Sequence, residues 1–165
     1  MLKSDGSKFG KTAGGSVWLD AARTSPYQFR QFWVQSDDQV IGTYARMLSL
    51  QPLVEIEALL AEHAQAPERR IAQRALADEL TALVHGADAA AHAAQAAAVL
   101  FGGDPTEADA AVLAIVAAEA PSVALPGEIE GLRVHDLLVG AGVAKSVSEV
   151  NRLLAQKAVR AGNRD

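Results

Sequence analysis

From Ser25 to Glu119, capping residues alternate with apolar positions three and four apart, which predicts a series of helices. Ser25 followed by Pro26 reads as an N-cap with proline at the first helical position, opening Tyr27-Gln28-Phe29-Arg30-Gln31-Phe32-Trp33. Ser36 or Asp37 caps a second helix with Val40, Ile41, Tyr44 and Leu48 at helical spacing. A third begins after Pro52, with Leu53, Ile56, Leu59 and Leu60 on one face. A fourth begins at Pro67, carries Ile71, Leu76, Leu80, Leu83 and Val84 as its stripe, and stops at Gly86. Residues 87–101 are alanine-rich. Alanine is the best helix former, so this segment is expected to be helical and to end at Gly102-Gly103. Asp104-Pro105-Thr106-Glu107 signals another start, with Val112, Leu113 and Val116 facing inward.

The pattern then changes. Pro121 to Gly131 holds two prolines and two glycines without periodicity and reads as a linker. Beyond it a short helix, Val134 to Gly140, precedes a second one opened by the capping box Ser146-x-x-Glu149 and continued by Val150, Leu153 and Leu154. Ala158-Val159-Arg160 reads as the start of a strand. Two short helices and one strand bury little apolar surface, so this module is incomplete as a folding unit. The fold class expected is mainly α, a helical bundle followed by a small, incomplete α+β module.

Composition sharpens this picture. Half of the 165 residues are hydrophobic and only 5% are aromatic, which favours closely packed helices over a β-sandwich. With no cysteine there are no disulfides and no thiolate metal sites. His63, His85 and His92 lie on different predicted helices without metal-ligand spacing and read as surface or helix-end histidines, so no metal site is expected. Neither a membrane span nor a signal peptide is legible, and a cytoplasmic location is expected. The net charge of −5 hides an asymmetry: from Leu132 to Arg164 six basic residues (Arg133, Lys145, Arg152, Lys157, Arg160, Arg164) face two acidic ones (Asp136, Glu149). A basic tail on an acidic body is a candidate polyanion surface.

Near the start, Ser4-Asp5-Gly6-Ser7-Lys8-Phe9-Gly10-Lys11-Thr12-Ala13-Gly14-Gly15 contains a Gly-Lys-Thr triplet like that of a phosphate-binding loop. The required G-x-x-x-x-G-K-[ST] spacing fails, because Asp5 stands five residues before Gly10, and no strand of useful length precedes it. Two lysines three residues apart and a hydroxyl still suit phosphate oxygens, since ammonium charges on flexible stems need no rigid cradle.

Lys8-Phe9-Gly10-Lys11-Thr12, then Gly14-Gly15-Ser16-Val17-Trp18-Leu19-Asp20 and Thr24-Ser25-Pro26-Tyr27-Gln28-Phe29, closely resemble the bacterial tyrosyl-tRNA synthetase family, where KFGKT is a variant of the class I signature loop KMSKS. Residues 137–146 and 149–154 resemble the opening helices of that family's S-four-type RNA-binding domain. The resemblance implies a domain order: loop and end of the catalytic domain over 1–24, helical anticodon-binding domain over 25–120, linker over 121–131, and start of the S-four-type domain over 132–165. It also implies that a Rossmann-type catalytic domain precedes Met1 and that the RNA-binding domain continues past Asp165. The isolated chain is then expected to be inactive.

The activity implied is that of a tyrosine-tRNA ligase, which activates tyrosine with ATP, Mg2+ being expected on the phosphates, and transfers it to tRNA(Tyr). Lys8, Lys11 and Thr12 are the implied catalytic residues, with Gly10 also contacting ATP. Lys145, Arg152, Lys157, Arg160 and Arg164 are implied phosphate contacts. Asp37 or Asp38 is placed to accept hydrogen bonds from an anticodon guanine, although helix capping is the simpler role for either, and Gln39 stands where the family often has a second acidic residue. A homodimer paired through the catalytic domain is also implied. Two other readings compete: a freestanding tRNA-binding or regulatory module derived from a synthetase, and a plain helical bundle with an accidental loop. Loop, linker and capped helices in one order disfavour the last.

Overall fold

Serine, aspartate and proline start the helices much as their chemistry dictates. The computed structural model describes residues 17–121 and 131–159, which divide into two compact units, Met1–Ala97 and Ala98–Asp165. α1 spans Pro26–Val34, and Ser25 Oγ accepts from the Gln28 N–H at 3.1 Å. α2 spans Asp38–Leu48; its cap is Asp37, whose Oδ1 accepts from the Gln39 N–H at 2.8 Å. α3 spans Leu53–Gln65 after Pro52, α4 spans Ile71–His85 up to Gly86 at φ 92°, and the alanine segment forms α5, Ala87–Leu100.

In the first unit α4 packs against α1, α2 and α3. Phe29, Trp33, Ile41, Tyr44, Ala72, Leu76, Ala77 and Leu80 form the core. Trp33 meets Phe29 and Tyr44 edge-on, at ring separations of 6.2 and 6.1 Å, a geometry in which the positive ring edge faces the negative ring face. Ala72 and Ala77 are wholly buried, and their small side chains let α4 approach its neighbours closely. Polar ties complete the unit. Buried Arg30 Nε donates to Asp78 Oδ1 at 2.6 Å, joining α1 to α4. Glu79 accepts from Ser49 Oγ and from the Leu50 N–H, both at 2.6 Å, which fastens the α2–α3 turn to α4.

Two predicted starts are corrected. Pro67–Arg69 is a 3₁₀ turn, and α4 begins only after Arg70, whose φ of 51° lies in the left-handed region and breaks helical continuity. Asp104 Oδ1 accepts from both the backbone N–H and the hydroxyl of Thr106, closing a local turn with Pro105–Glu107 in 3₁₀ form. The cap of α6, Ala110–Glu119, is instead Asp109, accepting from the Val112 N–H at 2.8 Å. Leu53 (61% exposed), Leu83 (59%) and Leu113 (40%) leave the apolar faces assigned to them, whereas Val112 is wholly buried.

Within the second unit, α5 ends where Gly102, at φ 107°, turns the chain so that Gly103 N–H reaches Ala98 O at 2.8 Å. A Cβ on Gly103 would stand 2.8 Å from that oxygen. α7, Val134–Gly140, packs on α8, Val147–Ala155, around buried Ala144 and Val150. The mainly α class expected is the one observed, and no strand occurs among the described residues. Ala158 and Val159 carry no regular structure; the strand expected from them and the linker's residues 122–130 run outside the described residues.

Candidate functional site

The sequence-predicted residues fall in three places. Lys8, Gly10, Lys11 and Thr12 lie outside the described residues, as do Arg160 and Arg164. Asp37 and Asp38 stand at the corner between α1 and α2, and Lys145, Arg152 and Lys157 flank or lie on α8.

At the corner, the two adjacent aspartates do different things. Asp37 faces its own helix as the cap of α2. Asp38, the first residue of α2, turns instead toward α3 and α4: its Oδ1 accepts from Gln73 Nε2, and His63 Nε2 stands 3.2 Å from the same oxygen. Half of the Asp38 side chain remains exposed, while His63 is 6% exposed and Gln73 not at all. The backbone beneath is held chiefly by Arg70, whose Nε donates to Val34 O at 3.1 Å and whose Nη2 donates to Ser36 O at 2.7 Å, with Gln73 Nε2 adding a longer bond to Ser36 O at 3.4 Å. A half-exposed carboxylate with one oxygen bonded by the buried Gln73 amide keeps accepting capacity for an outside donor pair.

His63 corrects an expectation, since it is a buried side chain facing a carboxylate and not a surface histidine. Gln73, His63 and Arg70 are absent from the sequence-derived candidates. A signal existed: His63 is seven residues after Ile56, and Gln73 is three before Leu76 and seven before Leu80. Both are therefore polar residues set on apolar stripes.

At α8 the capping box forms. Ser146 Oγ accepts from the Glu149 N–H at 3.3 Å, and Glu149 Oε2 accepts from the Lys145 N–H at 2.9 Å. Glu149 Oε1 also takes Arg152 Nη2 at 3.1 Å, so Arg152, 65% exposed, is partly neutralised by its own helix. Lys145 and Lys157 are exposed, the latter just beyond α8 with φ 53°. His135 Nε2 meets Asn151 Oδ1 at 2.8 Å and links α7 to α8. One perturbed ion pair lies elsewhere on the surface: Arg46 Nε and Nη2 reach the two oxygens of Glu57 at 2.6 and 3.0 Å. That hydrogen-bonded guanidinium holds the Glu57 carboxyl below its ordinary value, and the carboxylate raises Arg46. No cluster of three or more metal-ligating side chains occurs among the described residues, and no helix there is long and apolar enough to cross a membrane.

Residues 1–102 match the family model described as "tRNA synthetases class I (W and Y)". The chain is 48% identical over 157 residues to the tyrosine-tRNA ligase of Anaeromyxobacter dehalogenans strain 2CP-1, covering 94% of this chain and 37% of that protein. It is 45% identical to that of Streptomyces coelicolor, covering 94% of this chain and 36% of the relative. A C-terminally truncated mitochondrial tyrosyl-tRNA synthetase of Aspergillus nidulans aligns over 52% of this chain and 25% of its own, with a TM-score of 0.50 and 38% identity. The chain thus spans little more than a third of the length of these curated relatives. The match over 1–102 conflicts with one expectation, that the isolated chain lacks the catalytic domain, because a class I synthetase model extends through the loop and on through the helices as far as α5.

Proposed function

The chain belongs to the class I tyrosyl-tRNA synthetase family, and on that premise we propose that it supplies the ATP loop and the tRNA-binding part of a tyrosine-tRNA ligase. The observation that carries this reading is 48% identity to such a ligase over 157 residues, 94% of the chain. The proposed layout keeps the loop and the end of the catalytic domain in residues 1–24, anticodon binding in 25–120, a linker in 121–131 and the start of an S-four-type RNA-binding domain in 132–165.

The chemistry follows from charge. When tyrosine's carboxylate attacks ATP, the departing pyrophosphate gathers negative charge, and cations placed for that state lower the barrier more than cations that bind ATP equally before reaction. Lys8 and Lys11 supply those charges, Thr12 a hydrogen bond, and Gly10 a backbone free to follow the loop as it closes on ATP and its Mg2+. On the RNA side, Lys145, Arg152, Lys157, Arg160 and Arg164 contact phosphates of tRNA(Tyr), aided by the N-terminus of α8. Of the two aspartates, Asp38 is the base-reading one: Asp37 is engaged in capping, whereas Asp38 presents a half-exposed carboxylate to a guanine edge. The complete enzyme acts as a homodimer.

The test is a chimaera in which this chain replaces the matching 157 residues of the Anaeromyxobacter ligase. It is expected to form tyrosyl-adenylate, and Lys11→Ala to raise the activation barrier by roughly 2–4 kcal/mol, as loss of one preorganised donor does, with tyrosine affinity unchanged. An unchanged activation rate in stopped-flow kinetics would reject the role of Lys11. A second reading is a freestanding tRNA-binding or regulatory module derived from such an enzyme, in which Lys8 and Lys11 are relics. It predicts a chimaera that binds tRNA(Tyr) and makes no adenylate.

A further inference from the structure

Asp38, His63 and Gln73 come from three different helices and meet at one carboxylate oxygen. Stability alone does not account for them. His63 Nδ1 and Gln73 Oε1 are buried without a hydrogen-bond partner, and each unsatisfied buried polar atom is a net loss that apolar residues of similar size would avoid. Nor does the cluster start α2, because Asp37 does so, and at the corner backbone Gln73 adds only a long 3.4 Å bond to Ser36 O, which Arg70 already holds at 2.7 Å together with Val34 O. Its remaining effect is on Asp38. A carboxylate on the first turn of an exposed helix otherwise samples several rotamers and hydrates both oxygens. With Oδ1 bonded by Gln73 Nε2 and faced by His63 Nε2 at 3.2 Å, the carboxylate keeps one orientation and offers its other accepting positions outward.

We infer that His63 and Gln73 are positioning residues that preorganise Asp38 to accept two hydrogen bonds from the N1–H and N2–H₂ edge of an unpaired guanine. This inference rests on the proposed role of Asp38 as the base-reading carboxylate. Neither His63 nor Gln73 touches the RNA, being buried; they act by denying Asp38 the freedom it would have to give up on binding.

The test uses the full 165-residue chain and a labelled hairpin of the tRNA(Tyr) anticodon arm carrying either guanine or inosine, which lacks the 2-amino group, at the first anticodon position. Fluorescence anisotropy gives the guanine-over-inosine preference, and thermal melting gives stability. The native chain should prefer guanine about tenfold, the size expected of one charge-assisted hydrogen bond. Asp38→Asn should abolish that preference. His63→Leu and Gln73→Leu, which keep volume and remove the donors, should reduce it to about twofold while Tm stays equal or rises. His63→Gln, which replaces the Nε2–H with an amide N–H at similar reach, should restore it.

The outcomes separate cleanly. No preference in the native chain, or an Asp38→Asn protein that keeps it, removes the Asp38 reading and this inference with it. If Asp38→Asn loses the preference while both leucine variants keep it, Asp38 still reads the base but the positioning role is wrong. If the leucine variants lose preference and Tm together and His63→Gln rescues neither, the cluster is structural and the inference falls.

Discussion

Replacing Arg70 with methionine tests how the corner that carries Asp37 and Asp38 is built. Arg70 makes two side-chain hydrogen bonds across 34 to 36 residues of sequence, to Ser36 O at 2.7 Å and Val34 O at 3.1 Å, and both are partly buried. Methionine keeps the apolar stem and removes the donors. A bond from a charged donor contributes about 1.5–3 kcal/mol, and partial access of water to both carbonyls brings each toward the lower end. The structure therefore predicts a loss of about 2–4 kcal/mol, a large share of the 5–15 kcal/mol typical of a domain. Urea unfolding followed by the fluorescence of Trp33, which lies in the core, reports it. With a slope of about 1–2 kcal/mol/M the midpoint should fall by roughly 2 M. Arg70→Lys should fall between, because one ammonium lacks the planar fork that spans two carbonyls. Arg70→Asn offers a control in the other direction: the left-handed φ of 51° suits asparagine, so it should be less damaging than Arg70→Met despite losing the same bonds. A midpoint shift for Arg70→Met within the range of ordinary surface changes, about 0.5 kcal/mol, would show that the two bonds do not hold the corner.

Three further outcomes follow from the same geometry. Lys145→Ala with Arg152→Ala should weaken tRNA(Tyr) binding and flatten the slope of log affinity against log salt by somewhat more than one unit, each full phosphate contact being worth roughly 0.7–0.9; Arg152 should contribute the smaller share because Glu149 already holds it, and an unchanged slope in salt-dependent titrations would mean a merely solvated face. Glu57 has its folded pKa depressed by Arg46, so the stability it contributes is present above its unfolded pKa and is lost as pH falls through the lower folded one; carboxyl NMR should show Glu57 titrating higher in Arg46→Gln, and an unmoved titration would deny the pair. Gly103→Ala should lower the melting temperature, since its Cβ meets the Ala98 carbonyl at 2.8 Å and backbone must shift; a melt identical to the native one would contradict the tight end of α5.

Helix number, order and most caps were legible in the sequence, because they depend on neighbours within four residues: Ser25 with Pro26 and Ser146 with Glu149 each act locally. Family membership was equally legible, resting on the order of residues and not on their contacts. The failures came where a local signal had a local competitor, as when Asp104 bonded Thr106 and left the cap of α6 to Asp109. Tertiary structure alone decided the rest. Nothing near Asp37 and Asp38 in sequence says which one caps, since either carboxylate can reach a backbone N–H. The choice is made by His63 and Gln73, 25 and 35 residues further on, whose buried donors are brought to Asp38 by the packing of α3 and α4 beside α2. Such polar residues on apolar stripes show in a sequence only as interruptions of the pattern, because what they bond to is set by which helices touch.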